Sequence, residues 1–372
     1  MIVETCADVV AQVRGQVGFL TLNRPKALNA LTLDMVRALQ SQLLAWKEDP
    51  RVLAVAIRGS SKDGFFGHFC AGGDIRFLHQ AGSAGNPQLE DFFTEEYALN
   101  HLIFSYPKPY IAFMDGVVMG GGMGLSQGAS WRVVTERTKM AMPETLIGLF
   151  PDVGGGYFLS RCPGAIGEWL ALTGESLHAA EAIAFHLADA YLPAAEQAAL
   201  WEALGSETFS HSEAVQALVQ NRTQPCSAAP QAVRDVQEID RIFALPTLPS
   251  IMQALESDSG EWAQATAAAL RKRSPLMLYV TLEQIRRARR FGVAADLRME
   301  RDMMRHCFAL RPGQSESLEG IRALAVDKDH HPRWNPSRIE AVPEGLWKAF
   351  FSSPWPVHAH PLAHLKDRVP GA

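Results

Sequence analysis

The sequence predicts an α/β protein in two parts: residues 1–195, built from repeated strand–strand–helix units, and residues 196–372, mainly helical. Three observations carry this reading. Apolar runs of strand length recur in the first part, at Val17 to Leu22, Val52 to Ile57 and Tyr110 to Met114, with the composition of buried strands. Between the first two, Leu33, Met35, Val36, Leu39, Leu43 and Leu44 return at the spacing of an amphipathic helix. Beyond residue 195 the strand signals fade. There, Glu261 to Arg273 and Met277 to Arg290 read as helices, the second following Ser274-Pro275 in a helix-start pattern. Asn221 to Pro230, rich in Gln, Pro, Ser and Ala, is the best linker candidate and equally suits an ordinary surface loop.

Composition sets the outer bounds. The chain has 372 residues, 47% hydrophobic and 20% charged, enough for one large core plus a second helical region, and it is not of disordered type. A formal net charge of -5 argues against a nucleic-acid partner. Five scattered cysteines, Cys6, Cys70, Cys162, Cys226 and Cys307, contain no Cys-x-x-Cys pair and suit a reducing compartment. The start, Met1-Ile2-Val3-Glu4-Thr5, has no basic region followed by an apolar stretch, and no segment approaches a membrane span. The expectation is a cytoplasmic protein; a transit segment already removed would leave the same trace.

Two glycine-rich elements mark the places where backbone comes close to a ligand. Met119-Gly120-Gly121-Gly122-Met123-Gly124 follows the strand Tyr110 to Met114, and Phe69-Cys70-Ala71-Gly72-Gly73-Asp74 follows Val52 to Ile57. Glycines at a strand-to-helix junction admit close approach, and the first N–H groups of the helix face whatever lies there. Two such loops supplying one N–H each form an oxyanion hole for a thioester or ester carbonyl. Either loop alone is explained as well by tight packing of strand on helix.

The segment Met142-Pro143-Glu144-Thr145-Leu146-Ile147-Gly148-Leu149-Phe150-Pro151-Asp152-Val153-Gly154-Gly155-Gly156 embeds two carboxylates among apolar and glycine residues. Apolar surroundings disfavour the charged form, raise the pKa and improve a carboxyl as a proton-transfer group near neutral pH. The bland alternative is that Pro143 and Glu144 begin a helix and Asp152 caps a turn.

Taken together these elements resemble the crotonase (enoyl-CoA hydratase/isomerase) superfamily. Leu20-Thr21-Leu22-Asn23-Arg24-Pro25-Lys26-Ala27-Leu28-Asn29-Ala30-Leu31, the Cys70 to Ile75 loop, the Gly120 to Gly122 loop and Pro143-Glu144 fall in the superfamily's order. Glu319-Gly320-Ile321-Arg322-Ala323-Leu324-Ala325-Val326-Asp327-Lys328-Asp329 and Pro332-Arg333-Trp334-Asn335-Pro336 look like the late signature of its branch that hydrolyses 3-hydroxyisobutyryl-CoA. The resemblance implies the crotonase spiral of ββα units followed by a helical C-terminal region that caps or mediates assembly. It implies oxyanion donors at the Gly73 and Gly121 N–H groups, Glu144 as catalytic acid/base and Asp152 as the branch's second carboxylate. It further implies substrate contacts at Glu96, Ala71 and Gly120, and a coenzyme A tail lined by Lys26, Ala27 and Leu28. Read from its residues alone, Glu96 with Asp91 and Glu95 is equally the solvated face of a helix. Family members associate in many cases as trimers or hexamers, so a homo-oligomer is expected.

One departure separates the branches. Hydratases of the two-glutamate type carry their other catalytic Glu where this sequence has Gly124, so half of the apparatus for adding water to a double bond is missing. Hydrolysis needs a carboxylate that attacks the thioester or activates water, a stabilised oxyanion and a proton for the leaving thiolate. Glu144 suits the first role and Asp152 the role of partner, orienting water or binding the substrate hydroxyl. An anhydride intermediate and direct water attack both stay open. The expected function is hydrolysis of a 3-hydroxyacyl-CoA, with 3-hydroxyisobutyryl-CoA of valine degradation as substrate. A hydratase or isomerase using Asp152, and a non-catalytic acyl-CoA-binding scaffold, are the alternatives. No cofactor beyond the coenzyme A of the substrate is implied. Nor is a metal: His330-His331, His358, His360 and His364 lack the acidic or thiol companions of zinc motifs. Cys70 has no sequentially placed histidine to activate it and reads as a buried thiol.

Overall fold

A computed structural model describes residues 2–62, 66–224 and 233–367. The strands are β1 (Ile2–Cys6), β2 (Val9–Arg14), β3 (Val17–Leu22), β4 (Ala54–Gly59), β5 (Tyr110–Met114), β6 (Val117–Met119), β7 (Trp131–Val134), β8 (Lys139–Ala141) and β9 (Ala190–Tyr191). Helices α1 (Leu33–Glu48), α2 (Ile75–Ala84), α3 (Gln88–Phe104), α4 (Gly121–Ser126), α5 (Gly155–Leu159), α6 (Ile166–Thr173) and α7 (Ala179–Ala184) intervene. After them come α8 (Gln197–Ser206), α9 (Ser212–Arg222), α10 (Val236–Phe243), α11 (Leu248–Ser257) and α12 (Glu261–Leu270). The last four are α13 (Pro275–Ala288), α14 (Val293–Ala309), α15 (Glu316–Ile321) and α16 (Glu344–Lys348).

The chain forms two compact units that interleave along the sequence. One comprises Met1–Gly73, Ala98–Ala141 and Ser176–Arg234, the other Asp74–Tyr97, Met142–Glu175 and Asp235–Ala372. The change from strand-bearing to helical sequence near residue 195 is real, since β9 is the last strand among the described residues. The compact units divide the chain differently.

The first unit is built on a seven-stranded sheet in the order β1-β2-β3-β4-β5-β7-β9, with a separate β6-β8 pair. β1 to β3 form an antiparallel meander, and β3, β4, β5, β7 and β9 are mutually parallel. Parallel strands buried on both faces explain the unbroken apolar runs of the sequence. Side chains alternate faces, and Val17, Phe19, Ala54, Ala56, Ile111, Phe113 and Val133 form one core layer with Leu200, Trp201 and Leu204 of α8 and Val215 and Val219 of α9. Gly18, on the opposite face, leaves the space that the Trp46 indole of α1 fills. Thr32 caps α1 by accepting the Met35 N–H. Its buried stripe runs through Leu33, Met35, Val36, Leu39, Leu43 and Trp46, and the remaining member of the expected set, Leu44, is 46% exposed. The linker candidate Asn221 to Pro230 begins inside α9, and its residues from 225 on lie outside the described ones.

The second unit is helical. Ser274 accepts the Met277 N–H and Pro275 occupies the first turn of α13, the arrangement its sequence announces. α15 backs the short 3-10 turn Glu144–Ile147: Gly320 has no room for a Cβ against the Ile147 backbone, Gly148 none against the Glu316 backbone, and Ser317 Oγ donates to the Gly148 carbonyl at 2.7 Å. The late motif is therefore architectural. Arg322 binds Glu319, Asp327 and Asp329, and Glu319 also accepts the Arg333 N–H.

Candidate active site

In the first unit, the two glycine loops are zipped together by main chain. Cys70 and Val118 form an isolated parallel bridge, with Cys70 N–H donating to Val117 O at 3.1 Å and Met119 N–H to Cys70 O at 2.9 Å. Three residues beyond this pairing on each strand stand Gly73 and Gly121. Gly121 opens α4, so its N–H belongs to the first turn, where no intrahelical acceptor exists. Gly72 is at φ +103° and Gly120 at φ 48°, ψ -120°, conformations that only glycine adopts without strain. A Cβ built on Gly72 would lie 3.6 Å from the Gly121 nitrogen. These loops thus approach each other through residues that carry no side chain. The Cys70 thiol is fully buried and accepts the Gly72 N–H at 3.4 Å, a part in holding the loop.

The segment expected to line the coenzyme is tied to the same loop. Ala71 N–H donates to Leu28 O at 3.1 Å and Leu31 N–H to Gly72 O at 2.8 Å. Leu28 and Asn29 both hold positive φ. Asn29, fully buried, accepts the Arg24 N–H at 2.8 Å and donates to His68 O at 2.7 Å and Ser60 O at 3.1 Å. It stitches three loop segments, a role that sequence reading missed. A groove of about 520 Å³ lies here, lined by Lys26, Leu28, Lys62, His68, Arg137 and Lys139 among others. Ala27 sits on the intervening turn and is not among the lining residues. Asp115 also lines the groove and pairs with Arg137.

In the second unit, three acids collect in a buried cluster. Glu96 of α3 is 2% exposed, Glu144 7% and Asp152 8%. Glu96 is therefore not on the solvated face, unlike its neighbour Asp91, which is exposed. Tyr97, the next residue on α3, donates its hydroxyl hydrogen to Asp152 Oδ2 at 2.8 Å. The Glu-Glu-Tyr sequence contained this tyrosine, but only the fold shows that it serves Asp152. Glu96 Oε1 and Glu144 Oε2 are buried with no hydrogen-bond partner among the described residues, which in a folded protein calls for an explanation such as a substrate.

The electrostatics follow from burial. Desolvation pushes Glu144 well above the usual carboxylate range, and the charges of Asp152 and then Glu96 add to it. Glu96 is raised by burial and by Asp152. Asp152 is pushed up to about 6 by burial, against the opposing effect of the Tyr97 hydroxyl and its own backbone. Carboxyls of this kind can hold a proton near neutral pH and pass it on.

Local structure sets each acid in place. Pro143 precedes the 3-10 turn that carries Glu144, Thr145 Oγ donates to Leu172 O at 3.0 Å, and Ser274 N–H donates to Thr145 O at 3.2 Å. Asp152 begins a tight turn whose carbonyl accepts the Gly155 N–H at 2.8 Å, with Val153 at φ 57° and Gly154 at φ 88°. The bland expectation holds for Glu144, which opens a helical turn, whereas Asp152 begins its turn through its main-chain carbonyl and turns its carboxylate to Tyr97. Among the described residues no group of three or more His, Cys, Asp or Glu could hold a metal ion.

A family model described as enoyl-CoA hydratase/isomerase matches residues 17–351. The "3-hydroxyisobutyryl-CoA hydrolase, mitochondrial" of Danio rerio is 39% identical over 93% of this chain and 90% of its own length. A carnitinyl-CoA dehydratase structure from Mycobacterium thermoresistibile superposes with a TM-score of 0.86 at 36% identity, covering 97% of this chain and 100% of that one. An enoyl-CoA hydratase structure from Rhodobacter sphaeroides 2.4.1 gives 0.83 at 38% identity, over 93% and 98%. With its parallel sheet, its two glycine loops and its buried acids, the chain belongs to the enoyl-CoA hydratase/isomerase family, the crotonase superfamily.

Proposed function

We propose that this protein hydrolyses the thioester of a 3-hydroxyacyl-CoA, with 3-hydroxyisobutyryl-CoA of valine degradation as substrate. The observation that carries this is the buried acid cluster of Glu96, Glu144 and Asp152 in a chain that has Gly124 where a two-glutamate hydratase has its other acid. The name of the Danio rerio relative agrees with it. In the proposed reaction the thioester carbonyl oxygen accepts the Gly73 and Gly121 N–H groups, and Glu144 either takes a proton from a water whose oxygen bonds to the carbonyl carbon, or itself bonds to that carbon to form an anhydride that water then hydrolyses. Charge developing on the oxygen is stabilised by the two amides, the C–S bond breaks, and the departing thiolate takes up a proton, returned by Glu144 in the first route and released by the hydrolytic water in the second. Asp152, ionised more readily for the Tyr97 hydrogen bond, receives the 3-hydroxyl or orients the water. The groove with Lys26, Lys62 and Lys139 offers cations to the phosphates of the coenzyme.

The four described cysteines are free thiols, in keeping with a reducing compartment such as the cytoplasm; the Danio rerio relative is named as mitochondrial. Among the described residues no helix is long and apolar enough to cross a membrane.

Coenzyme A release from 3-hydroxyisobutyryl-CoA, followed with a thiol reagent, is the test. Release no faster than with the Glu144→Ala variant would sink the proposal. The printed names of the two solved structures, a dehydratase and a hydratase, favour a second reading, interconversion of an enoyl-CoA and its hydroxyacyl-CoA. Change of enoyl absorbance without thiol release would select it.

A further inference from the structure

Behind the Asp152 turn stands a second pair of buried acids that the proposed reaction does not use. Asp296 and Glu300 lie one helical turn apart on α14 and neither is exposed to solvent. Glu300 Oε2 accepts the Gly154 N–H at 2.7 Å, and its Oε1 accepts the Gly156 N–H at 2.9 Å. Asp296 Oδ2 accepts the Tyr157 N–H at 2.7 Å. Gln284 of α13 completes the grip, its Nε2 donating to the Pro151 carbonyl at 2.6 Å and to Glu300 Oε1 at 3.1 Å. The main chain on both sides of Asp152 is thus held at four groups by three buried polar side chains.

The turn needs this. Val153 and Gly154 are both at positive φ, and for Val153, branched at Cβ, that conformation is costly. A strained turn persists only where its surroundings over-determine it. We propose that Glu300 is a positioning residue for Asp152, its carboxylate drawing the Gly154 and Gly156 amides together so that the turn presents Asp152 to the substrate. This rests on the hydrolase reading above for the part Asp152 plays.

The partner acid adds one further hold on the same turn, through the Tyr157 N–H. Asp296 Oδ1 meets no donor among the described side chains and main chain. Burial raises both carboxyls, and the charge of Asp296 raises Glu300 further. Glu300 accepts three N–H donors against one for Asp296, so it is the acid that carries most of the hold on the turn. The groups facing the pair from other elements are Arg161, Asp152 and Tyr97.

The assignment makes opposite demands on two near-isosteric substitutions. Glu300→Gln turns an acceptor into an N–H₂ facing the turn amides; kcat for thioester hydrolysis is expected to fall at least tenfold, with KM within twofold. Asp296→Asn keeps an oxygen for Tyr157 and leaves the three donors to Glu300 in place; kcat is expected within threefold of the parent. Hydrogen–deuterium exchange of the peptide spanning residues 150–159 is read alongside, expected to be faster in Glu300→Gln and little changed in Asp296→Asn. Equal losses in the two variants, or an unchanged kcat in Glu300→Gln, would overturn the proposal. Exchange that follows this pattern in a protein whose parent form releases no thiol would overturn the hydrolase reading and leave the hold on the turn standing. If Glu300→Gln does not fold, Gln284→Met, which releases the Pro151 carbonyl, is expected to show the same fall in kcat at constant KM, and a parental kcat there would overturn the proposal.

Discussion

Tyr97 donates its phenolic hydrogen to Asp152 at 2.8 Å, in a site where both residues are buried. That one bond works against the burial that raises Asp152. A hydrogen bond to a charged acceptor contributes about 1.5–3 kcal/mol, and a pKa unit corresponds to about 1.4 kcal/mol. Tyr97→Phe is expected to move Asp152 from about 6 upward by about one unit. In a pH profile of kcat/KM the acid limb then moves to higher pH, with a larger loss of activity at pH 6 than at pH 8. An acid limb that stays in place would disprove the coupling.

Glu144→Gln is expected to abolish hydrolysis and to stabilise the fold in alkali. The folded protein holds the Glu144 proton more tightly than the unfolded chain, whose value is near 4.5. Between 4.5 and the raised folded value, the native state binds more protons. Stability therefore falls as pH rises through that window, and is undiminished below it. Glutamine has no proton to lose. Thermal melting should show the variant above the parent by at least about 2 °C at pH 8, with the gap closing toward pH 4.

Gly72→Ala places a methyl 3.4 Å from Met119 O and 3.6 Å from the Gly121 nitrogen, at φ +103°. Strain of about 1–3 kcal/mol and a covered amide are both expected. Removing one oxyanion donor costs about 10²–10³ in kcat, so a fall of at least about tenfold is expected from partial obstruction. Steady-state kinetics with substrate binding measured separately checks it: kcat should drop more than affinity.

Asn29→Ala removes the partner of the Arg24 N–H and of the Ser60 and His68 carbonyls at part-buried positions. Destabilisation of about 2–4 kcal/mol is expected, measurable by urea unfolding. Because the same loop carries Lys26 and Leu28 to the groove, KM for the acyl-CoA should rise as well. A variant with parental stability would show that water replaces the side chain without loss.

Much of this was legible in the chain because it rests on local rules. Val17 to Leu22 and Tyr110 to Met114 are strands to the residue, since apolar runs bounded by turn residues have few alternatives. Ser274-Pro275 started its helix for the same reason. The acids at 144 and 152 stood out by their apolar company. What escaped was long-range. Nothing near Glu300 in sequence announces that it will meet Gly154 and Gly156, 146 and 144 residues away. Asn29 looked like an ordinary turn residue until the chain returned at Ser60 and His68. Glu96 is one of three acids in six residues, and only the direction in which α3 packs separates it from Asp91.

The bridge between Cys70 and Val118 has a consequence for how this scaffold varies. Both amides of the cradle are main-chain groups, so no exchange of side chains deletes either of them except proline. Their spacing depends on how many residues lie between the bridge and each glycine, two in either loop. A one-residue insertion or deletion there would dislocate the cradle more thoroughly than most substitutions. The acids are the reverse case, erasable by a single codon yet indifferent to loop length. A lineage on this fold can thus exchange its acids while inheriting the same pair of main-chain amides, provided that the two loops keep their count.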